Sequence, residues 1–144
     1  MATLSCYACS SLSQQFKQSI AKIGVGSYDA PVLNKQIDAY IKQNKVMCFS
    51  WSGCPFCRKA NALLAELMEP SQFFILQIDE MDQGKAIRYE LSQNTGRTSV
   101  PQIWINGQYI GGCNDGPGLL TLHKEGKLVP MLKAAGLKVK KGVN

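Results

Sequence analysis

No stretch of the chain reaches the roughly 18 apolar residues that a membrane-spanning helix needs, which predicts a soluble protein without a membrane partner. The first residues have neither a basic leader nor a long apolar core, so they do not read as a secretory signal. The expected compartment is therefore cytoplasmic, or an organelle if the first thirty residues are a transit segment. Lys and Arg outnumber Asp and Glu by 16 to 10, a formal charge of +6, yet no basic run exists apart from Lys138, Lys140 and Lys141. A nucleic-acid partner is not expected from such a distribution; the positive balance instead favours the approach of small anions.

Six cysteines in a short secreted protein would suggest a disulfide framework. Without a signal sequence, a C-x-x-C pair reads as catalytic or metal-binding instead. Two such pairs exist, Cys6/Cys9 and Cys54/Cys57, in dissimilar surroundings. They lie much farther apart than the about 15–20 residues that separate the halves of a four-cysteine zinc site, so no metal is expected. Cys48, inside an apolar run, reads as a small packed hydrophobe.

With 144 residues, 45% of them hydrophobic, one domain plus appendages is expected. Residues 1–30 are rich in Ser, contain no Arg and have no acidic residue before Asp29. They read as an extension in which Leu12, Phe16, Ile20 and Ile23 recur at helical spacing. A folded unit over 31–137 and a solvated basic tail over 138–144 complete the expected layout. In the folded unit, Val32, Leu33, Ile37, Tyr40 and Ile41 mark a helix ending near Asn44, and Val46-Met47-Cys48-Phe49 a buried strand. Ala60, Leu63, Leu64, Leu67 and Met68 form a second stripe stopped by Pro70, Phe73–Ile78 a second strand, and Ile87 with Leu91 a third helix. Asn106-Gly107, flanked by apolar runs, is a strong hairpin signal, and helical patterns return from Leu119 and from Leu128. That order gives one parallel strand–helix–strand unit joined to an antiparallel hairpin. The expectation is an α/β domain resembling the thioredoxin-like fold, with a four-stranded mixed sheet flanked by helices.

Cys54-Pro55-Phe56-Cys57 falls between the first strand and the first turn of the next helix. The N–H groups of a helix start lack intrahelical partners and carry partial positive charge, so a thiolate there is stabilised and available as a nucleophile. Pro55 suits the first helical position. The spacing sets Cys54 as the exposed attacker and Cys57 as the shielded resolving thiol. Arg58, Lys59 and Lys45 add positive charge nearby. A lone C-x-x-C also fits a zinc half-site, and its place between strand and helix is what favours redox chemistry.

A second segment narrows the class. Thr98-Ser99-Val100-Pro101 precedes the hairpin and Gly111-Gly112-Cys113-Asn114-Asp115 follows it. With C-P-F-C, these residues resemble the glutaredoxin family from about Lys45 to Asp115. The resemblance implies a thiol-disulfide oxidoreductase that uses glutathione as cosubstrate and reduces glutathionylated proteins and protein disulfides such as that of ribonucleotide reductase, with an NADPH-dependent glutathione reductase as indirect partner. Couples of this kind sit near about −200 to −230 mV. The resemblance further implies a cis peptide before Pro101 and a groove in which Val100 offers its backbone to the cysteinyl part of glutathione, in the manner of an added strand. Asn114 and Asp115, at a helix start, would take the γ-glutamyl end, while Lys45 and Arg97 would pair with the glycyl carboxylate. Phe56, Ser99, Gly112 and Cys113 complete the expected groove; Asp115 also fits a plain helix N-cap. Phe56 stands where many relatives have Tyr, keeping the aromatic wall without the hydroxyl. Some relatives carry an iron–sulfur cluster between two subunits, but they commonly have a smaller residue than Pro55. The W-C-G-P-C pattern of thioredoxins is missing, since Trp51 stands two residues farther out.

Overall fold

The computed structural model describes residues 12–22 and 24–142, so the readings for Cys6, Cys9 and Ile23 fall outside the described residues. The element order is α1 (Leu12–Lys22), α2 (Ala30–Gln43), β1 (Val46–Ser50), α3 (Pro55–Leu67), β2 (Phe74–Gln77), α4 (Gly84–Thr95), β3 (Gln102–Ile105), β4 (Gln108–Gly111), α5 (Leu119–Lys124) and α6 (Leu128–Ala134). The strands form one sheet in the order β2-β1-β3-β4, with β1 parallel to β2 and antiparallel to β3, and β3 antiparallel to β4. This is the thioredoxin-like arrangement expected from the periodicity.

The sheet is covered on both faces, which explains why β1 is an uninterrupted apolar run rather than an alternating one. Successive side chains point to opposite faces. Val46 and Cys48 join Ala60, Leu63, Leu64 and Leu67 of α3 with Leu119, Leu128 and Leu132 on one face. Met47 and Phe49 join Leu33 and Ile37 of α2, Ile87 and Leu91 of α4, and Trp104 on the other. Each leucine- or phenylalanine-sized side chain buried in this way contributes about 1.5–3 kcal/mol. Asp29 caps α2 by accepting the Val32 N–H at 3.1 Å, two residues before Pro31 in the first turn. At the β3–β4 hairpin Asn106 and Gly107 take φ of 51° and 79°, the two left-handed positions that an Asn-Gly turn supplies cheaply.

Three details differ from the sequence expectation. Val32, assigned to the apolar face of α2, is half exposed. The helix of the extension forms and lies against α4, yet Leu12 and Phe16 are 85% and 68% exposed instead of serving as its buried stripe. Lys138–Lys140 is not a free tail. The Lys140 N–H donates to the Leu67 carbonyl at 2.8 Å, its ammonium to the Ala65 carbonyl at 3.1 Å, and Gln72 bonds both the N–H and the carbonyl of Lys138. The last carbonyls of α3 have no intrahelical donor, so a passing segment with donors is held there.

Candidate active site

Everything at the site hangs from the ends of β1 and β3. β1 stops at Ser50, and a turn closed by the Cys54 N–H to the Trp51 carbonyl (3.1 Å) delivers the chain to α3. Asp79, just beyond β2, accepts the Ser52 N–H at 2.9 Å and the Ser52 hydroxyl, which ties the turn to the neighbouring parallel strand. Those bonds hold the Asp79 carboxyl below its ordinary ionisation range.

Cys54 is the N-cap of α3 and Pro55 its first residue. The Cys54 sulfur accepts the Cys57 N–H at 3.4 Å, and its thiol lies 3.7 Å from the Val100 carbonyl. Part of this residue reaches solvent, whereas Cys57 is 0% exposed. Burial raises the Cys57 thiol to about 11, against a lowering from the Trp51 N–H that its sulfur accepts at 3.4 Å. Both cysteines are free thiols. An accessible sulfur on a helix start with a protonated, enclosed sulfur one turn behind it is an arrangement for attack by the first and resolution by the second.

The peptide before Pro101 is cis, as the family resemblance implied. Opposite Cys54, the loop 96–100 is held from below by Gln102, fully buried, whose amide donates to the carbonyls of Arg97 (2.7 Å) and Ser99 (3.1 Å). Arg88 of α4 holds it from the side through Nε to the Thr98 carbonyl at 3.0 Å. Three adjoining clefts run along this loop and share Ser99. One is bounded by Trp51, Gly53, Cys54, Arg88 and Val100; the next by Phe56, Val100, Pro101, Cys113, Asn114 and Asp115; the third continues past Asp115 to Arg97 and Gly96. Together they make one trough across the sulfur of Cys54.

Ser99, Val100, Pro101, Phe56, Cys113, Asn114 and Asp115 therefore meet along the trough. Phe56 is 52% exposed, with the Lys59 ammonium 5.8 Å from its ring centre. Burial raises the Cys113 thiol, partly offset by Lys59. Gly112 is required by close approach: a Cβ there would stand 2.5 Å from Asp115 Oδ1 and 3.0 Å from the Pro101 carbonyl.

Three assignments are corrected. Lys45 does not reach the trough. It precedes β1 while Cys54 follows it, about 16 Å along a strand of this length, and its ammonium donates to the Ala135 carbonyl at 2.6 Å. Arg97 forms an ion pair with Asp115, which sets its guanidinium at the end of the trough assigned to the γ-glutamyl group rather than at the opposite end. Asn114 and Asp115 are not at a helix start, and Asp115 is not an N-cap. Gly116-Pro117-Gly118 intervenes, and α5 begins at Leu119 with Gly118 as its cap. The sequence reading also missed Arg88, whose guanidinium lies 5.1 Å from the Trp51 ring centre and which has no ion-pair partner among the described residues. Its neighbour Ile87 marked the core face of α4, but nothing local revealed that the next position meets the end of β1.

Residues 46–110 match the family model described as glutaredoxin. Glutaredoxin-1 of Rhizophagus irregularis is 41% identical over 103 residues, 71% of this chain and 96% of that protein. This chain belongs to the glutaredoxin family. Among solved structures, a buckwheat glutaredoxin–glutathione complex superposes with a TM-score of 0.67 at 28% identity, covering 76% of this chain and 94% of the other. A dithiolic glutaredoxin of Trypanosoma brucei brucei, 42% identical, gives 0.59 over 67% and 94%. The protein is accordingly a thiol-disulfide oxidoreductase, and this glutaredoxin carries its C-x-x-C pair at the strand–helix junction where the geometry above sets an accessible sulfur. Among the described residues no group of three or more His, Cys, Asp or Glu side chains could hold a metal ion.

Proposed function

We propose that this glutaredoxin reduces glutathione mixed disulfides through Cys54 alone and protein disulfides through Cys54 and Cys57 together. The observation that carries the reading is an accessible Cys54 sulfur lying across a trough, with Cys57 enclosed behind it. The Cys54 thiolate attacks the glutathione sulfur of a protein–glutathione disulfide. A Cys54–glutathione disulfide forms, the protein sulfur leaves as a thiolate, and it takes a proton from water. A second glutathione, as thiolate, then attacks the glutathione sulfur on Cys54, releasing oxidised glutathione and restoring the Cys54 thiolate. With a protein disulfide, the Cys54 mixed disulfide is attacked instead by Cys57, which must first lose its proton. That step releases the reduced protein and leaves a Cys54–Cys57 disulfide for glutathione to reduce. The backbone of Val100 beside the sulfur suits the peptide part of the tripeptide. Arg88 suits the glycyl carboxylate, which needs a cation only, while Asp115 with Arg97 suits the zwitterionic γ-glutamyl end, which needs both signs.

The test is NADPH oxidation coupled through glutathione and glutathione reductase, with a glutathionylated peptide as substrate. Turnover is expected, and replacing the glutathione system with thioredoxin reductase should abolish it. Turnover supported by thioredoxin reductase but not by glutathione would overturn the reading.

A further inference from the structure

The cleft beyond Asp115, about 320 Å³, is lined by Gly96, Arg97, Thr98, Ser99, Asp115 and by Lys17 of α1. Lys17 belongs to the extension, not to the segment that matches the family. α1 is laid along α4, with the Lys22 ammonium 5.9 Å from the Tyr89 ring centre at its C-terminal end. That placement brings Lys17 to the outer end of the trough. We infer that Lys17 is a binding residue for the γ-glutamyl carboxylate of the substrate, contributed to the groove by the N-terminal extension; the inference rests on the glutathione reading above.

Two features favour an added cation there. First, the charges already in the cleft cancel, because Asp115 and Arg97 are paired with each other. A zwitterionic ligand end can replace that pair by giving its ammonium to Asp115 and its carboxylate to Arg97, but the exchange gains no net charge. Lys17 has no carboxylate partner among the described residues, so it is the cation that tips the exchange. Second, backbone donors that a helix start beside Asp115 would offer are used elsewhere. The N–H groups of Gly118, Leu119 and Leu120 donate to the carbonyls of Ile110 (2.9 Å), Gly112 (2.9 Å) and Cys113 (2.8 Å). A carboxylate in this cleft therefore gains no donor from the start of α5, and Lys17 and Arg97 are the two side-chain cations that line it.

The experiment uses the full chain and two substrates, one peptide carrying glutathione and the same peptide carrying cysteinylglycine, which lacks the γ-glutamyl group. Lys17→Ala should lower kcat/KM for the glutathionylated peptide about 2–5-fold at low salt, the range of an exposed charge contact, with a smaller difference at high salt. Lys17→Arg should restore the rate, Lys17→Glu should lower it further, and the cysteinylglycine disulfide should react equally with all variants. An equal loss with both substrates, or no loss with either while the unmodified chain turns over, would overturn the assignment of Lys17 and leave the glutathione activity standing. A chain that does not turn over the glutathionylated peptide at all would overturn the activity itself, and the role of Lys17 with it.

Discussion

Raising the pH should destabilise the reduced protein through Cys57. The thiol ordinarily ionises at 9.0, and burial in the folded state raises this one to about 11. Between those values the unfolded chain has lost the proton while the folded chain still holds it. Stability contributed by the neutral thiol is thus complete below pH 9, declines as the pH rises toward 11, and changes no further above it. At roughly 1.36 kcal/mol per decade, the full gap corresponds to about 2–3 kcal/mol. Cys48 and Cys113 are also raised by burial and act with the same sign, so the total loss is not specific to Cys57. A difference measurement isolates it. Urea unfolding of the reduced chain and of Cys57→Ala, from pH 8 to 11, should give free-energy curves that converge by about 2–3 kcal/mol as the variant escapes the penalty. Curves that stay parallel across that range would refute the claim that Cys57 is held neutral by its enclosure.

Gly112→Ala should displace Asp115 and the Pro101 carbonyl, costing about 1–3 kcal/mol of stability by overpacking. In the coupled assay its loss in kcat/KM for a glutathionylated peptide should exceed that of Gly53→Ala, whose added methyl meets nothing within 4 Å. Arg88→Ala removes both the bond to the Thr98 carbonyl and the cation beside Trp51, so KM for the same peptide should rise several-fold, on the order of 10-fold for a charged hydrogen bond. Arg88→Lys should recover only part, because the planar fork that both stacks and donates is lost.

Much of the fold was readable because local signals agreed with one another. Val46–Phe49 is apolar throughout because β1 is covered on both faces, and Asn106-Gly107 has the backbone freedom its turn demands. The cysteine pair was legible for a similar reason: Pro55 opens α3 directly after an N-cap that happens to be the reactive residue. What failed was distance across the fold. Lys45 and Cys54 look close along the chain, but a strand lies between them and carries them to opposite ends of the sheet. Asp115 looked like a helix start because the leucine pattern resumes soon after it, while Gly116-Pro117-Gly118 delays α5 and turns Asp115 toward Arg97. Arg88 and Lys17 enter the groove only through the packing of α4 on the sheet and of α1 on α4, which no local pattern encodes.

The central claim is that one sulfur suffices for a glutathione mixed disulfide, and comparing Cys54→Ser with Cys57→Ser in the coupled assay addresses it directly. Cys54→Ser should abolish turnover of the glutathionylated peptide, and Cys57→Ser should retain it while losing activity on a protein disulfide. A Cys57→Ser chain inactive toward the glutathionylated peptide, or a Cys54→Ser chain that still turns it over, would contradict the account.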